Sequence, residues 1–114
     1  MEDRSHARET LEQRVDSPES RYLAQIRAIL ADVLSDRPCV VYLFGSRATG
    51  AHTHISDFDI AVEAAEDVSR ELSLAREKLE LSNIPFKVDL VDLHNTSEVF
   101  SRRVHREGIL LWKN

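Results

Sequence analysis

Several features that define whole classes of protein are missing from this 114-residue sequence. It contains one cysteine, Cys39, so no internal disulfide can form, and we interpret that residue as a buried thiol at the start of an apolar strand. It has no run of about 18 apolar residues, and its N-terminus lacks the apolar core of a signal peptide. These absences predict no membrane span and a reducing, cytoplasmic location.

Basic charge is also scarce, with 15 Lys and Arg residues against 20 Asp and Glu and a formal net charge of -5. A polymerase or a general RNA-binding protein usually carries a basic footprint, so strong binding to nucleic acid is not expected. A nucleotide remains a suitable ligand, because magnesium can bridge acidic side chains to phosphates. The length fits one domain and is too short for two.

The N-terminal part divides into a charged segment and the start of a domain. Residues 1–16 are highly charged with few apolar positions, and they form either a frayed helix or a disordered tail. Residues 17–114 are predicted to form a single domain. Its first helix begins with Ser17 as the cap and Pro18 in the first turn, and Arg37 with Pro38 ends it. Apolar residues recur in it at helical spacing: Tyr22, Leu23, Ile26, Ile29, Leu30, Val33 and Leu34.

Strands and helices alternate along the rest of the domain. Asp67 is placed to cap a second helix that runs to about Ser82, and Val68, Leu72, Ala75 and Leu79 form its buried stripe. Asn95 is placed to cap a third helix that stops at Gly108, with capping-box spacing to Glu98. Short apolar runs predict strands at about 39–44, 58–63, 86–92 and 109–112. This alternation predicts an α/β fold with a small sheet of about four strands packed with helices.

The most informative stretch runs from residue 45 to residue 59, between two apolar strands. Gly45 ends the first strand, and a glycine there allows a sharp turn and the close approach of a ligand. Ser46 and Arg47 follow at the start of a short helical stretch. Free backbone N–H groups in such a turn, with a hydroxyl and an arginine beside them, are suited to bind phosphate.

Two carboxylates, Asp57 and Asp59, open the next strand. Positions two apart in a strand share a face, so these side chains would lie side by side and repel each other. A divalent cation removes that repulsion, and magnesium prefers one or two carboxylates together with substrate phosphates. The alternative is a solvated strand start or a cap on a turn; the Gly45-Ser46 pair upstream favours a metal site.

In its Gly45-Ser46 pair, spacer of roughly ten residues and Asp57-x-Asp59, the sequence resembles the minimal nucleotidyltransferases of the polymerase-β-type superfamily. The resemblance covers about residues 20–112 and implies a mixed sheet. It also implies a third carboxylate on a later strand. Asp89 fits that position. Asp92 is the alternative for this position. It lies three residues after Asp89 and would therefore face the other side of a regular strand. It is also near the strand end, where it can help start the next helix.

The resemblance implies a magnesium-dependent enzyme that transfers a nucleoside monophosphate, AMP from ATP, to a hydroxyl of a protein partner. Members of this branch serve as antitoxins that modify a tyrosine of a HEPN-type toxin. The implied site has two Mg²⁺ ions, with these roles for the residues: Asp57, Asp59 and Asp89 as metal ligands and catalytic residues, and Gly45, Ser46 and Arg47 as nucleotide-binding residues. Asp89 would hold the metal at the attacking oxygen and help to take the acceptor's proton.

Two other functions compete with this one. A binding module could neutralise a partner by contact alone, although such a module has no need for all three carboxylates. An aminoglycoside-modifying transferase usually carries an extra domain for its acceptor, for which the sequence has no room. That lack of room points to a macromolecular acceptor. No motif indicates a nucleotide preference.

Two groups of charged or titratable residues have simpler interpretations. His52 and His54 have spacing that suits chelation, but no Cys or further His completes a zinc site, so we interpret them as solvated loop residues. A basic patch late in the last helix is interpreted as favourable charge near a helix C-terminus, with contact to an acidic partner as the alternative. It comprises Arg102, Arg103, His105 and Arg106.

Overall fold

The computed structural model describes residues 18–51 and 57–114. The charged segment 1–16 and the pair His52 and His54 lie outside the described residues, as does Ser17. The helices are α1 (Pro18–Val33), α2 (Ser46–Thr49), α3 (Ser69–Glu80) and α4 (Glu98–Glu107). The strands are β1 (Cys39–Phe44), β2 (Phe58–Ala64), β3 (Val88–Asp92) and β4 (Ile109–Lys113), and a 3-10 helix (Leu93–Asn95) follows β3.

The strands form one mixed sheet in the order β3-β2-β1-β4. Strand β1 is antiparallel to both β2 and β4, whereas β2 and β3 are parallel. The prediction of an α/β fold with a small mixed sheet of about four strands is therefore confirmed.

Side-chain alternation gives the sheet two different faces. On one face, alternate residues of the strands pack against α1 and α3 in the main core, which contains Val41, Leu43, Ile60, Val62, Leu30 and Leu72. On the other face, Ala61 packs with Val104 of α4 and Leu93 of the 3-10 helix, together with Tyr42, Phe44 and Phe100. The predicted stripe of α3 is confirmed, because Val68, Leu72, Ala75 and Leu79 are all buried. Asp59 belongs to the strand positions that face α4.

Three predicted helix boundaries were wrong. Helix α1 ends at Val33, and a turn over residues 34–36 separates it from Arg37. The cap of α3 is Val68, whose carbonyl accepts the first helical bond from Leu72, while Asp67 binds the Ser69 N–H and hydroxyl just before the helix.

The predicted capping box at Asn95 was also wrong. Asn95 belongs to the 3-10 helix, which Asp92 starts by accepting a bond from the His94 N–H. The cap of α4 is Ser97, whose hydroxyl accepts a bond of 3.1 Å from the Phe100 N–H. Strand β3 begins at Val88, two residues later than predicted.

Candidate active site

A tight turn follows β1 and opens the candidate site. Gly45 has φ 75° and ψ -156°, a conformation that is essentially restricted to glycine. Its carbonyl accepts a bond of 3.0 Å from the Ala48 N–H, and one turn of helix follows before Gly50, which has φ 87°. The short helical stretch expected at Ser46 is therefore present, and Ser46 is its first residue.

Gly45 lies against Asp59 of the neighbouring strand. A Cβ atom at position 45 would collide with the Oδ2 atom of Asp59 and would lie 3.1 Å from its Cγ. The absence of a side chain at position 45 therefore leaves room for the Asp59 carboxylate beside the turn. The sequence suggested close approach of a ligand to Gly45; the structure shows in addition close approach of a carboxylate.

The sheet places Asp59 and Asp89 next to each other. Phe44 pairs with Asp59 between β1 and β2, and Asp59 pairs with Asp89 between β2 and β3, so the three residues form one row across the sheet. Asp57 lies just before β2. Burial and then the charges of Asp89 and Asp57 raise the pKa of Asp59, whereas the Lys87 ammonium opposes them. The predicted residues therefore lie close enough to influence each other electrostatically.

Asp89 is exposed to solvent, with 51% of its side chain accessible. Its Oδ1 atom lies 3.8 Å from the Nζ atom of Lys87. Within residues 18–51 and 57–114, no three His, Cys, Asp or Glu side chains lie close enough together to hold a metal ion. Carboxylates repel one another, so a tight cluster of three requires a cation between them.

The residues nevertheless have the chemistry that magnesium requires. Carboxylate oxygens are hard ligands, and burial together with the charges of Asp89 and Asp57 raises the pKa of Asp59, so its negative charge is less favourable than in water. A bound divalent ion would stabilise that charge. The donor set fits magnesium on these grounds.

Asp92 lies at the other end of β3 and has a different partner. Its carboxylate accepts a bond of 3.0 Å from the His94 N–H and one of 3.3 Å from the Asn95 side-chain amide. It pairs with Val62 in the sheet register, three residues beyond the Asp59 row. The prediction that Asp92 helps to start the next helix is confirmed.

Arg47 is buried, with 3% exposure. Its guanidinium carbon lies 4.1 Å from the centroid of the Phe58 ring and 5.2 Å from that of Phe86. The side chain therefore extends from the turn toward the start of β2, where stacking on aromatic rings stabilises it. This placement favours a role for Arg47 in fixing the turn. This burial could not be predicted from the sequence, because arginine beside a glycine turn is equally typical of an exposed phosphate ligand.

The structure adds residues of α4 that the sequence did not connect with the site. A pocket of about 330 Å³ lies between the turn and α4, with Phe100, Arg103 and Glu107 contributing to one side and Gly45 and Ser46 to the other. The helical spacing of Arg103 and Glu107 was visible in the sequence. Their position beside the turn depends on how α4 packs on β1, which local patterns do not specify.

The basic patch on α4 is involved in several ion pairs. Arg102 pairs with Glu98 at 3.0 Å, Arg103 with Glu107 at 3.4 Å, and His105 lies 2.9 Å from Glu63. His105 and Arg106 lie in the last turn of the helix, where positive charge is favourable.

Among the described residues, no helix is long and apolar enough to cross a membrane.

The sheet, the glycine turn and the row of carboxylates define the class of protein. Residues 25–114 match the polymerase beta nucleotidyltransferase family, and the chain belongs to this family. The resemblance based on Gly45-Ser46 and Asp57-x-Asp59 is thereby confirmed.

Particular relatives narrow the class further. The chain is 32% identical over 96 residues to the probable protein adenylyltransferase MntA of Haemophilus influenzae, covering 81% of this chain and 80% of that protein. It is similar, at 34% identity and a TM-score of 0.61, to a crystal structure of a toxin-antitoxin with AMP-PNP, over 77% of this chain and 73% of that one. It is also similar, at 30% identity and a TM-score of 0.56, to a structure of tri-AMPylated HEPN toxin with MNT antitoxin from Shewanella oneidensis, over 81% of this chain and 73% of that one.

Proposed function

We propose that this nucleotidyltransferase transfers AMP from ATP to a tyrosine hydroxyl of a HEPN-type toxin and thereby acts as an antitoxin. The observation that carries the proposal is the position of Asp59, between the Gly45 turn and Asp89. A triphosphate on the turn would place its α-phosphate beside the carboxylates. The similarity to a protein adenylyltransferase and to the tri-AMPylated toxin complex supports AMP as the group and a HEPN-type toxin as the acceptor.

In the proposed reaction, the tyrosine oxygen forms a bond to the α-phosphorus of ATP. The bond from that phosphorus to the oxygen bridging it to the β-phosphate breaks, and its electron pair leaves with pyrophosphate. The hydroxyl proton is released, and the Asp89 carboxylate is proposed to accept it. Such a displacement requires mainly positioning and charge neutralisation from the protein.

Asp57, Asp59 and Asp89 are the proposed ligands of two Mg²⁺ ions. When bound, magnesium neutralises charge on the phosphoryl oxygens and on the attacking and leaving oxygens. Ser46 and the backbone at Gly45 are proposed to hold the triphosphate. Arg47 is proposed to neutralise phosphate charge, while its stacking on Phe58 fixes the position of the turn.

The test is incubation of the protein with ATP labelled at the α-phosphate, Mg²⁺ and a HEPN-type toxin, taken first from the neighbouring reading frame. The wild type should label the toxin on tyrosine, and a folded double variant, Asp57→Asn with Asp59→Asn, should not. If the wild type binds the toxin tightly without labelling it, the contact-only module replaces the enzyme.

A further inference from the structure

The pocket between the turn and α4 is lined by residues of both elements, and Asp57, Asp59 and Asp89 do not border it. The turn contributes Gly45, Ser46 and Thr49 to its lining, and α4 contributes Arg103 and Glu107. Its volume of about 330 Å³ is within the range of small-molecule sites. Because two of the proposed triphosphate-binding residues form one wall, a ligand on the turn would be continuous with this pocket.

Several contacts fix the helix that forms the other wall. Val104 is buried against the sheet, and the rings of Phe44 and Phe100 meet edge to face with centroids 5.5 Å apart. Further along α4, the Nε2 atom of His105 lies 2.9 Å from Glu63 of β2. The backbone that carries Arg103 and Glu107 is therefore anchored at positions before and after Arg103.

The direction of the proposed reaction indicates which part of the donor reaches the pocket, and this step rests on the proposed function. In an in-line displacement, the attacking and leaving oxygens lie on opposite sides of the phosphorus. The row across the sheet runs from Asp89 to Asp59 to Phe44, and Gly45 follows Phe44. With the acceptor hydroxyl at Asp89 and the α-phosphate at Asp59, the leaving group points toward the turn, which forms one wall of the pocket.

We propose that this pocket receives the β- and γ-phosphates of the donor and then holds the pyrophosphate product, with Arg103 as its cationic ligand. The electron pair of the broken bond moves to pyrophosphate, so its negative charge increases as it leaves. Arginine is well suited to phosphate oxygens because its N–H groups form a planar fork. Phe44, Phe100 and Val104 form the apolar part of the pocket wall beside Arg103.

Glu107 restrains Arg103 in the absence of pyrophosphate. Its Oε1 atom lies 3.4 Å from the Nε atom of Arg103, one helical turn away, and it also borders the pocket. A carboxylate there competes with pyrophosphate for the guanidinium and repels the anion. Glu107 therefore weakens product binding and favours release.

The experiment is calorimetric titration of the folded protein with pyrophosphate, AMP and ATP, with Mg²⁺ present throughout. Arg103→Ala should weaken binding of pyrophosphate and of ATP about tenfold and leave AMP unchanged. Glu107→Gln should have the opposite effect and tighten the binding of pyrophosphate. Arg102→Ala is the matched control, because Arg102 is the adjacent arginine on α4, is paired with Glu98, and does not line the pocket.

Three results would overturn the inference. Equal pyrophosphate affinities for Arg103→Ala and Arg102→Ala would make the Arg103–Glu107 pair an ordinary surface ion pair. If Arg103→Ala bound AMP more weakly than the wild type but bound pyrophosphate equally well, the pocket would be assigned to the nucleoside. A wild type that labels the toxin but does not bind pyrophosphate would overturn the inference alone, whereas one that binds pyrophosphate but never labels the toxin would overturn the proposed function alone.

Discussion

The Asp59 carboxylate occupies the space that a side chain at Gly45 would need, and this relationship joins the turn to the row of carboxylates. Asp59 lies in β2, and Gly45 directly follows the neighbouring strand β1, so each residue constrains the other. Gly45 also has a positive φ that L-residues rarely adopt. Position 45 is therefore restricted both by its own backbone and by its neighbour.

Gly45→Ala should accordingly destabilise the protein by about 3 kcal/mol, from backbone strain and displacement of Asp59. Gly50→Ala is the matched control: Gly50 also has a positive φ, but a Cβ there would meet no atom within 4 Å. Gly50→Ala should lower the free energy of unfolding by only about 1 kcal/mol. Urea denaturation measures both values, and equal losses would show that the contact with Asp59 has no energetic consequence.

Asp59→Asn should raise the melting temperature of the metal-free protein at neutral pH. Burial and the charges of Asp89 and Asp57 raise the pKa of Asp59, partly offset by Lys87, so the folded protein binds this proton more tightly than the unfolded chain does. The associated stability is present below the ordinary carboxyl pKa of about 4 and is lost as the pH rises through the folded pKa. The gain from asparagine should therefore disappear at acidic pH.

Thermal denaturation of wild type and Asp59→Asn from acidic to neutral pH measures this difference. Addition of Mg²⁺ and ATP should make the wild type melt at the higher temperature, because only the wild type retains the Asp59 carboxylate as a metal ligand. An asparagine variant that gains the same stability at every pH would show that the charge of Asp59 is not the cause.

Arg47→Ala should lower the free energy of unfolding by about 2–3 kcal/mol, because a buried guanidinium stacked on Phe58 and an apolar stem are both lost. Arg102→Ala, which removes an exposed arginine, should change it by less than about 0.5 kcal/mol. Chemical denaturation measures both. Unchanged stability with a large loss of ATP affinity in Arg47→Ala would instead make Arg47 a direct phosphate ligand.

The contrast between Arg47 and Asp89 shows how much of the site could be predicted from the sequence. The strand order and the pairing of Asp59 with Asp89 follow from a fold that the Gly45-Ser46 and Asp57-x-Asp59 pattern identifies, and alternation along β3 separates Asp89 from Asp92. The burial of Arg47 depends on Phe86, which lies far along the chain. Likewise, the pocket depends on the packing of α4, because the same helix pattern could cover any apolar surface.

Ser46→Ala should weaken the binding of ATP and of GTP by similar factors of about five to ten, because the hydroxyl is proposed to contact the triphosphate and not the base. Titration with both nucleotides in the presence of Mg²⁺ provides the comparison. Ser82→Ala is a useful control, since the Ser82 hydroxyl donates a bond of 2.6 Å to the Leu79 carbonyl and Ser82 does not line the pocket. A loss confined to one nucleotide would show that Ser46 discriminates between bases.

The central claim is that the row of carboxylates performs AMP transfer, and Asp89→Asn tests it most directly. The measurement is the intact mass of the HEPN-type toxin after incubation with ATP, Mg²⁺ and either wild type, Asp89→Asn or Asp92→Asn. Asp92 is the matched control on the same strand, and asparagine there can still accept the bond from the His94 N–H. We expect wild type and Asp92→Asn to add one or more AMP masses to the toxin and folded Asp89→Asn to add none. Transfer by Asp89→Asn at the wild-type rate would contradict the account.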